Sequence, residues 1–122
     1  MSVLAPSLTL GIEEEYLLVD LETRELVRDP PKEIMEVCRN ELADQVTAEF
    51  LRSQIEVGTR ICQDVHEARE DLIHLRSVVA RTAREYGIAP IAASTHPAAD
   101  WVQQITTPKD RYDELLRDLA GV

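Results

Sequence analysis

The run Gly11-Ile12-Glu13-Glu14-Glu15-Tyr16 sets three consecutive carboxylates inside a longer stretch, Leu8 to Asp20. The other residues of that stretch are mostly apolar or β-prone and predict one long strand. Alternation along a strand puts Gly11, Glu13, Glu15 and Leu17 on one face, and Leu10, Ile12, Tyr16 and Leu18 on the other, where the core is expected. Glu13 and Glu15 then stand about 7 Å apart along the strand, beside a glycine that lets a ligand or another backbone come close. Crowded carboxylates repel one another and burial disfavours their charged form, so they require cationic partners. Those partners are either basic side chains or metal ions.

Further acids follow on the next strands. Val46 to Phe50 and Ser53 to Ile61 return to a strand pattern, and in the second of these Gln54, Glu56 and Gly58 share one face while Ile55, Val57, Thr59 and Ile61 share the other. Glu49 lies close upstream of Glu56, so a bend between them brings the two together. Alone, either residue reads as an exposed surface glutamate. Together, Glu13, Glu15, Glu49 and Glu56 on one face form an oxygen-rich site suited to a hard divalent cation, Mg²⁺ or Mn²⁺. Glu13, Glu15 and Glu56 are expected to converge on one cavity-facing side of the sheet. His, Cys and Asp are not placed to favour zinc.

The remaining chain supplies the elements that must position these acids. Residues 20–29 predict a hairpin with Glu22, Thr23 and Arg24 at its tip, and Asp29-Pro30 predicts the start of a short helix over 31–42. Asp64-Val65-His66-Glu67 has the pattern of a capping box. Behind it, Val65, Ala68, Leu72, Leu75, Val79, Ala83 and Tyr86 recur at helical spacing until Gly87, with His66 and His74 on the solvated side. This helix should lie on the sheet. His66-Glu67-Ala68-Arg69-Glu70 is not a zinc-protease helix, because Glu70 stands where a second histidine is needed. Ile88 to Thr95 predicts a last strand ending at His96-Pro97, where His96 is a candidate ligand contact or a structural turn residue. Thr107-Pro108-Lys109-Asp110 predicts a cap for a final helix carrying Tyr112, Leu115, Leu116 and Leu119 on one side.

At 122 residues the chain is expected to form one domain, soluble in composition with 44% hydrophobic and 30% charged residues. A net charge of −10, from 23 acidic against 13 basic residues, argues against a nucleic-acid surface. No apolar run is long enough to span a membrane, and the N-terminus lacks a basic region and an extended apolar stretch, so the expected location is cytoplasmic. Cys38 and Cys62 are expected to be buried thiols. No Gly-x-x-x-x-Gly-Lys-Ser/Thr loop or Gly-x-Gly-x-x-Gly fingerprint is present, so any nucleotide phosphates must be reached through metal held by carboxylates.

Gly11-Ile12-Glu13-Glu14-Glu15-Tyr16 on a first strand, Glu49-Phe50-Leu51-Arg52-Ser53-Gln54-Ile55-Glu56 on the next, and Ser94-Thr95-His96-Pro97 after a long helix resemble the opening part of the glutamate–cysteine ligase family. The resemblance is closest to its bacterial carboxylate–amine ligase branch and spans nearly the whole chain. It implies an α+β fold, an antiparallel or mixed sheet with helices packed mainly on one face, forming part of a glutamine-synthetase-like cradle for ATP and metal. Carried over position by position, Glu13 and Glu15 match the family's Glu-x-Glu metal pair, and Glu49 and Glu56 match two further metal-binding acids. Arg52 is a weaker candidate for phosphate or carboxylate contact, and His96 for the substrate end. The implied reaction activates the γ-carboxylate of glutamate with ATP for attack by an amine such as cysteine's; the four acids would then be ligands, and no residue here is assigned as a catalytic acid, base or nucleophile. Family members are considerably longer, so this chain is expected to be the N-terminal part of a ligase, inactive alone and self-associating as a homo-oligomer. The alternative is a non-catalytic metal-binding or oligomerisation module derived from one.

Overall fold

The computed structural model describes residues 6–120, so the reading of Met1 to Ala5 as a segment without a signal lies outside the described residues. The described residues form four strands and three α-helices, in the order β1 (Glu13–Asp20), α1 (Lys32–Leu42), β2 (Val46–Ala48), β3 (Gln54–Gly58), α2 (Val65–Arg84), β4 (Ile88–Ile91) and α3 (Asp110–Leu119). The strands form one sheet in the order β2-β3-β1-β4, with every pairing antiparallel. This is the expected α+β class, and it decides between an antiparallel and a mixed sheet. β4 lies at an edge, the place where Pro90, lacking an N–H, costs the ladder least.

One face of the sheet carries the core. Tyr16 and Leu18 of β1, Val46 of β2, Ile55 and Val57 of β3 and Ile88 of β4 pack with Ile34, Cys38 and Leu42 of α1 and with Leu75, Val78, Val79 and Ala83 of α2. Cys38 and Cys62 are buried free thiols, and burial pushes the Cys38 thiol above its ordinary value. Among the described residues no helix is long and apolar enough to cross a membrane.

Helix α2 follows the capping pattern with one shift. The Asp64 carboxylate accepts the N–H groups of His66 and Glu67 at 2.8 and 3.0 Å, whereas Glu67 reaches back to the N–H of Gln63 at 2.8 Å, one residue before the cap. Gly87 ends it with a φ of +70°, in the left-handed region that glycine adopts without penalty. His66 and His74 are exposed as expected, but so are Val65 and Tyr86, and the buried stripe includes Asp71 and Thr82 instead. Asp71 is only 3% exposed. It accepts from the Arg60 N–H at 2.8 Å and the Gln45 amide at 2.9 Å, and pairs with the Arg60 guanidinium at 3.1 Å. Burial alone would raise its pKa, and these donors together hold it below the ordinary aspartate value.

Elsewhere the boundaries differ from expectation for local reasons. β1 begins at Glu13, and Leu10 makes only an isolated bridge to Cys62. The hairpin tip forms, with Asp20 accepting from the Glu22 and Thr23 N–H groups, but its return arm is a single bridge between Leu26 and Val19. Helix α1 starts after Pro31 with no side-chain cap, because the Asp29 carboxylate pairs with Arg52 at 2.8 Å. Thr107 does not cap α3 either; its hydroxyl donates to the backbone carbonyl of Glu49. On α3 only Tyr112 is buried, and Leu115, Leu116 and Leu119 are exposed.

Leu75 is fully buried where α2 meets the sheet. Leu75→Ala should therefore lower unfolding stability by about 3 kcal/mol with an unchanged urea m-value; a loss under about 1 kcal/mol would mean that the helix–sheet contact is not the principal core.

Candidate metal centre

The face of the sheet opposite the core carries the acids. Antiparallel pairing sets Glu15 of β1 directly across from Glu56 of β3, and Glu13 across from Gly58. Partners in such a ladder project to the same side. β2 continues the row, since Thr47 pairs with Glu56 and its hydroxyl donates to the Glu56 carboxylate at 3.0 Å. Glu49 follows two residues after Thr47, at the start of the loop joining β2 to β3. Glu15, Glu49 and Glu56 each bring one carboxylate oxygen within 4.8 Å of the other two. Glu13 lies on the same face with its stem against Gly58, where an added Cβ would sit 3.8 Å from the Glu13 Cγ. It stands outside the group of three.

Each member of the trio is held by neutral donors. The Gln54 amide donates to Glu15 at 2.6 Å, and the Phe50 N–H donates to Glu49 at 2.9 Å. The ion pairs among the described residues, Arg52–Asp29, Arg60–Asp71, Arg76–Glu14 and Arg81–Glu41, leave all three acids without a cation. At an effective dielectric of about 20, two unit charges at this separation repel by roughly 3 kcal/mol before salt screening. Burial and then the charge of Glu49, with a smaller push from Glu56, raise the Glu15 carboxyl above its ordinary value, while the Gln54 hydrogen bond pulls the other way. Three to four carboxylates on a half-exposed face offer the hard oxygen donors that Mg²⁺ or Mn²⁺ takes, with room left for water.

The family model for glutamate–cysteine ligase family 2 matches residues 9–121, which is nearly the whole chain. The chain belongs to this family. Proteins named "Putative glutamate--cysteine ligase 2" from Paracoccus denitrificans, Jannaschia sp. and Rhodospirillum rubrum are 53%, 54% and 52% identical to it over 117, 114 and 121 residues. These alignments cover 96%, 93% and 96% of this chain but 31%, 30% and 31% of the relatives. The chain thus spans about a third of the length of the curated relatives it matches.

Within this member of the glutamate–cysteine ligase family, the other two candidate residues are engaged elsewhere. The Arg52 guanidinium is on Asp29. His96 uses both ring nitrogens: Nε2 donates to the Arg24 carbonyl at 2.9 Å, and Nδ1 accepts from the Ala98 N–H at 3.2 Å, so it ties the hairpin tip to the loop after β4. Three residues that hold Glu49 escaped the sequence reading. The Thr107 hydroxyl and N–H bond the carbonyls of Glu49 and Phe50, Lys109 Nζ donates to the Ala48 carbonyl at 2.7 Å, and the Tyr112 hydroxyl lies 3.5 Å from the Glu49 carboxylate. The Tyr112 ring stands edge-on to Phe50 with centroids 5.3 Å apart. The available signal was Tyr112 itself, an aromatic on a helix rich in charge.

An acid whose folded pKa is raised adds stability that is complete below its unfolded pKa and is lost as pH rises through the folded one. Without divalent cations, Glu15→Gln should therefore melt roughly 2–4 °C above the parent at pH 7. That difference should shrink as pH falls through the raised Glu15 value toward the ordinary glutamate value. Parallel melting curves across this window would show that the trio carries no such repulsion.

Proposed function

We propose that this chain supplies the divalent-cation ligands of an ATP-dependent carboxylate–amine ligase that joins glutamate to an amine such as that of cysteine. The observation that carries this reading is the convergence of Glu15, Glu49 and Glu56 without a basic partner, in a chain of the glutamate–cysteine ligase family. Glu13, on the same face across from Gly58, is taken as a fourth donor. The sheet is taken to be part of a glutamine-synthetase-like cradle in a longer, cytoplasmic protein, with the three partners ATP, glutamate and the amine completed by residues outside this chain.

In the proposed reaction a γ-carboxylate oxygen of glutamate attacks the γ-phosphorus of ATP. The bond to the β–γ bridging oxygen breaks, ADP leaves, and a γ-glutamyl phosphate remains. The amine nitrogen then attacks the acyl carbon, phosphate departs, and the amide forms with loss of the amine proton. A bound Mg²⁺ or Mn²⁺ supplies the positive charge that offsets charge on the transferred phosphoryl group. What the chain's own residues do is electrostatic and positional. Glu15, Glu49 and Glu56 would hold the cation, and Gln54, Thr47 and the Phe50 N–H orient their carboxylates. None of the acids is required to move a proton.

Mn²⁺ at about 100 times its dissociation constant should stabilise the chain by about 2.7 kcal/mol, and Glu56→Gln should remove most of that response; equal shifts in parent and variant would make the effect nonspecific. The chain alone is expected to self-associate through exposed sheet and helix faces and to release no ADP with glutamate and cysteine. Steady glutamate- and amine-dependent ADP release from a monomer in sedimentation would show that it is catalytically sufficient.

A further inference from the structure

Glu14 stands between two residues of the acidic face, yet its side chain goes the other way. Its carboxylate accepts from Arg76 of α2, with Nε on Oε2 at 2.8 Å and Nη2 on Oε1, and from the hydroxyl of the buried Tyr16. Two-pronged guanidinium–carboxylate pairing fixes orientation as well as distance. The Arg76 bond holds the Glu14 carboxyl below its ordinary value, and desolvation raises the Tyr16 phenol to about 12 with help from the adjacent carboxylate.

The backbone around Glu14 is tethered on one side only. β3 pairs with Glu13 through Leu17, whereas β4 pairs with Leu17 through Asp20, so among the described residues the Glu13–Tyr16 segment has a strand neighbour along a single edge. Beside the burial of Tyr16 in the core, the bond to Arg76 is a polar attachment of this segment directed out of the sheet toward α2. Successive side chains alternate, so pinning Glu14 to the helix side commits Glu13 and Glu15 to the opposite side.

We propose that Arg76, acting through Glu14, is a positioning residue for the acidic face: it holds the first half of β1 so that Glu15 stays across from Glu56 and Glu13 stays over Gly58. The purpose of the tether rests on the metal reading above; its existence does not. Arg76 is 56% exposed, and an ion pair so open to water adds little to global stability. Its effect is on the geometry of its neighbours.

The test compares the parent with Arg76→Gln and with Arg76→Lys, which keeps the charge but loses the fork and so guards against simple misfolding. Mn²⁺ affinity is measured by titration calorimetry, and amide hydrogen exchange is followed at residues 13–16 against residues 17–20, with circular dichroism as the check on folding. Removing a positive charge near the acids would by electrostatics alone tighten cation binding. Loss of positioning predicts the opposite: about tenfold weaker Mn²⁺ binding in Arg76→Gln, partial recovery in Arg76→Lys, and faster exchange confined to residues 13–16. Unchanged or tighter binding in Arg76→Gln, beside a parent that binds Mn²⁺, overturns the positioning role. So does unchanged exchange in both variants. A parent that fails to bind Mn²⁺, or binds it equally after Glu56→Gln, overturns the metal reading instead, and the exchange data alone then decide whether the tether exists.

Discussion

The register between β1 and β3 is the constraint on which the rest of this structure depends. Backbone hydrogen bonds place Glu15 directly opposite Glu56, an arrangement of like charges that side-chain energetics alone would reject. What enforces it lies on the other face. A slip of either strand by one residue would turn its own apolar pair, Tyr16 and Leu18 or Ile55 and Val57, away from α1 and α2 and send its carboxylates toward the core. Apolar burial on one side thus fixes the spacing of repelling charges on the other. Helices α1 and α2 serve the acids from the opposite face, and α3 reaches the trio through the Tyr112 hydroxyl at Glu49.

Charge is sorted accordingly. Asp71, buried in α2, has Arg60 and Gln45; Glu14 has Arg76 and Tyr16; Glu41 on α1 has Arg81. These acids join elements to one another. Like Asp20 and Asp64, the trio receives neutral donors; what sets it apart is that its three carboxylates lie together. Thirteen basic residues would have been enough to neutralise it, so its unpaired state reflects placement rather than scarcity. That contrast distinguishes the three oxygens from the acids that join one element to another.

Much of this was legible in the residues because it follows from periods of two and 3.6. The shared face of Glu13, Glu15 and Glu56 comes from strand alternation, and the cap and glycine stop of α2 come from local hydrogen bonding. What escaped notice depends on contacts distant in sequence. Asp71 lies on the apolar stripe of α2, where a carboxylate is costly, and only the fold reveals that Arg60 and Gln45 meet it. Asp29 and Thr107 had good capping credentials, but Arg52 and the Glu49 carbonyl claimed their oxygens. The trio centres on Glu49, with Glu13 apart, because the loop after β2 curls back under a segment more than fifty residues later.

That last feature has a consequence for the order in which the molecule matures. The Glu15–Glu56 juxtaposition needs the chain through α2, whereas the anchors of Glu49, Thr107 and Tyr112, lie 58 and 63 positions beyond Glu49. During synthesis from the N-terminus, the two strands can pair while Glu49 is still on an unsupported loop. Contacts closed over such separations form late because loop entropy opposes them. A nascent chain therefore holds the Glu15–Glu56 pair before Glu49 is fixed beside it, and the three carboxylates are brought firmly together only when α3 has docked.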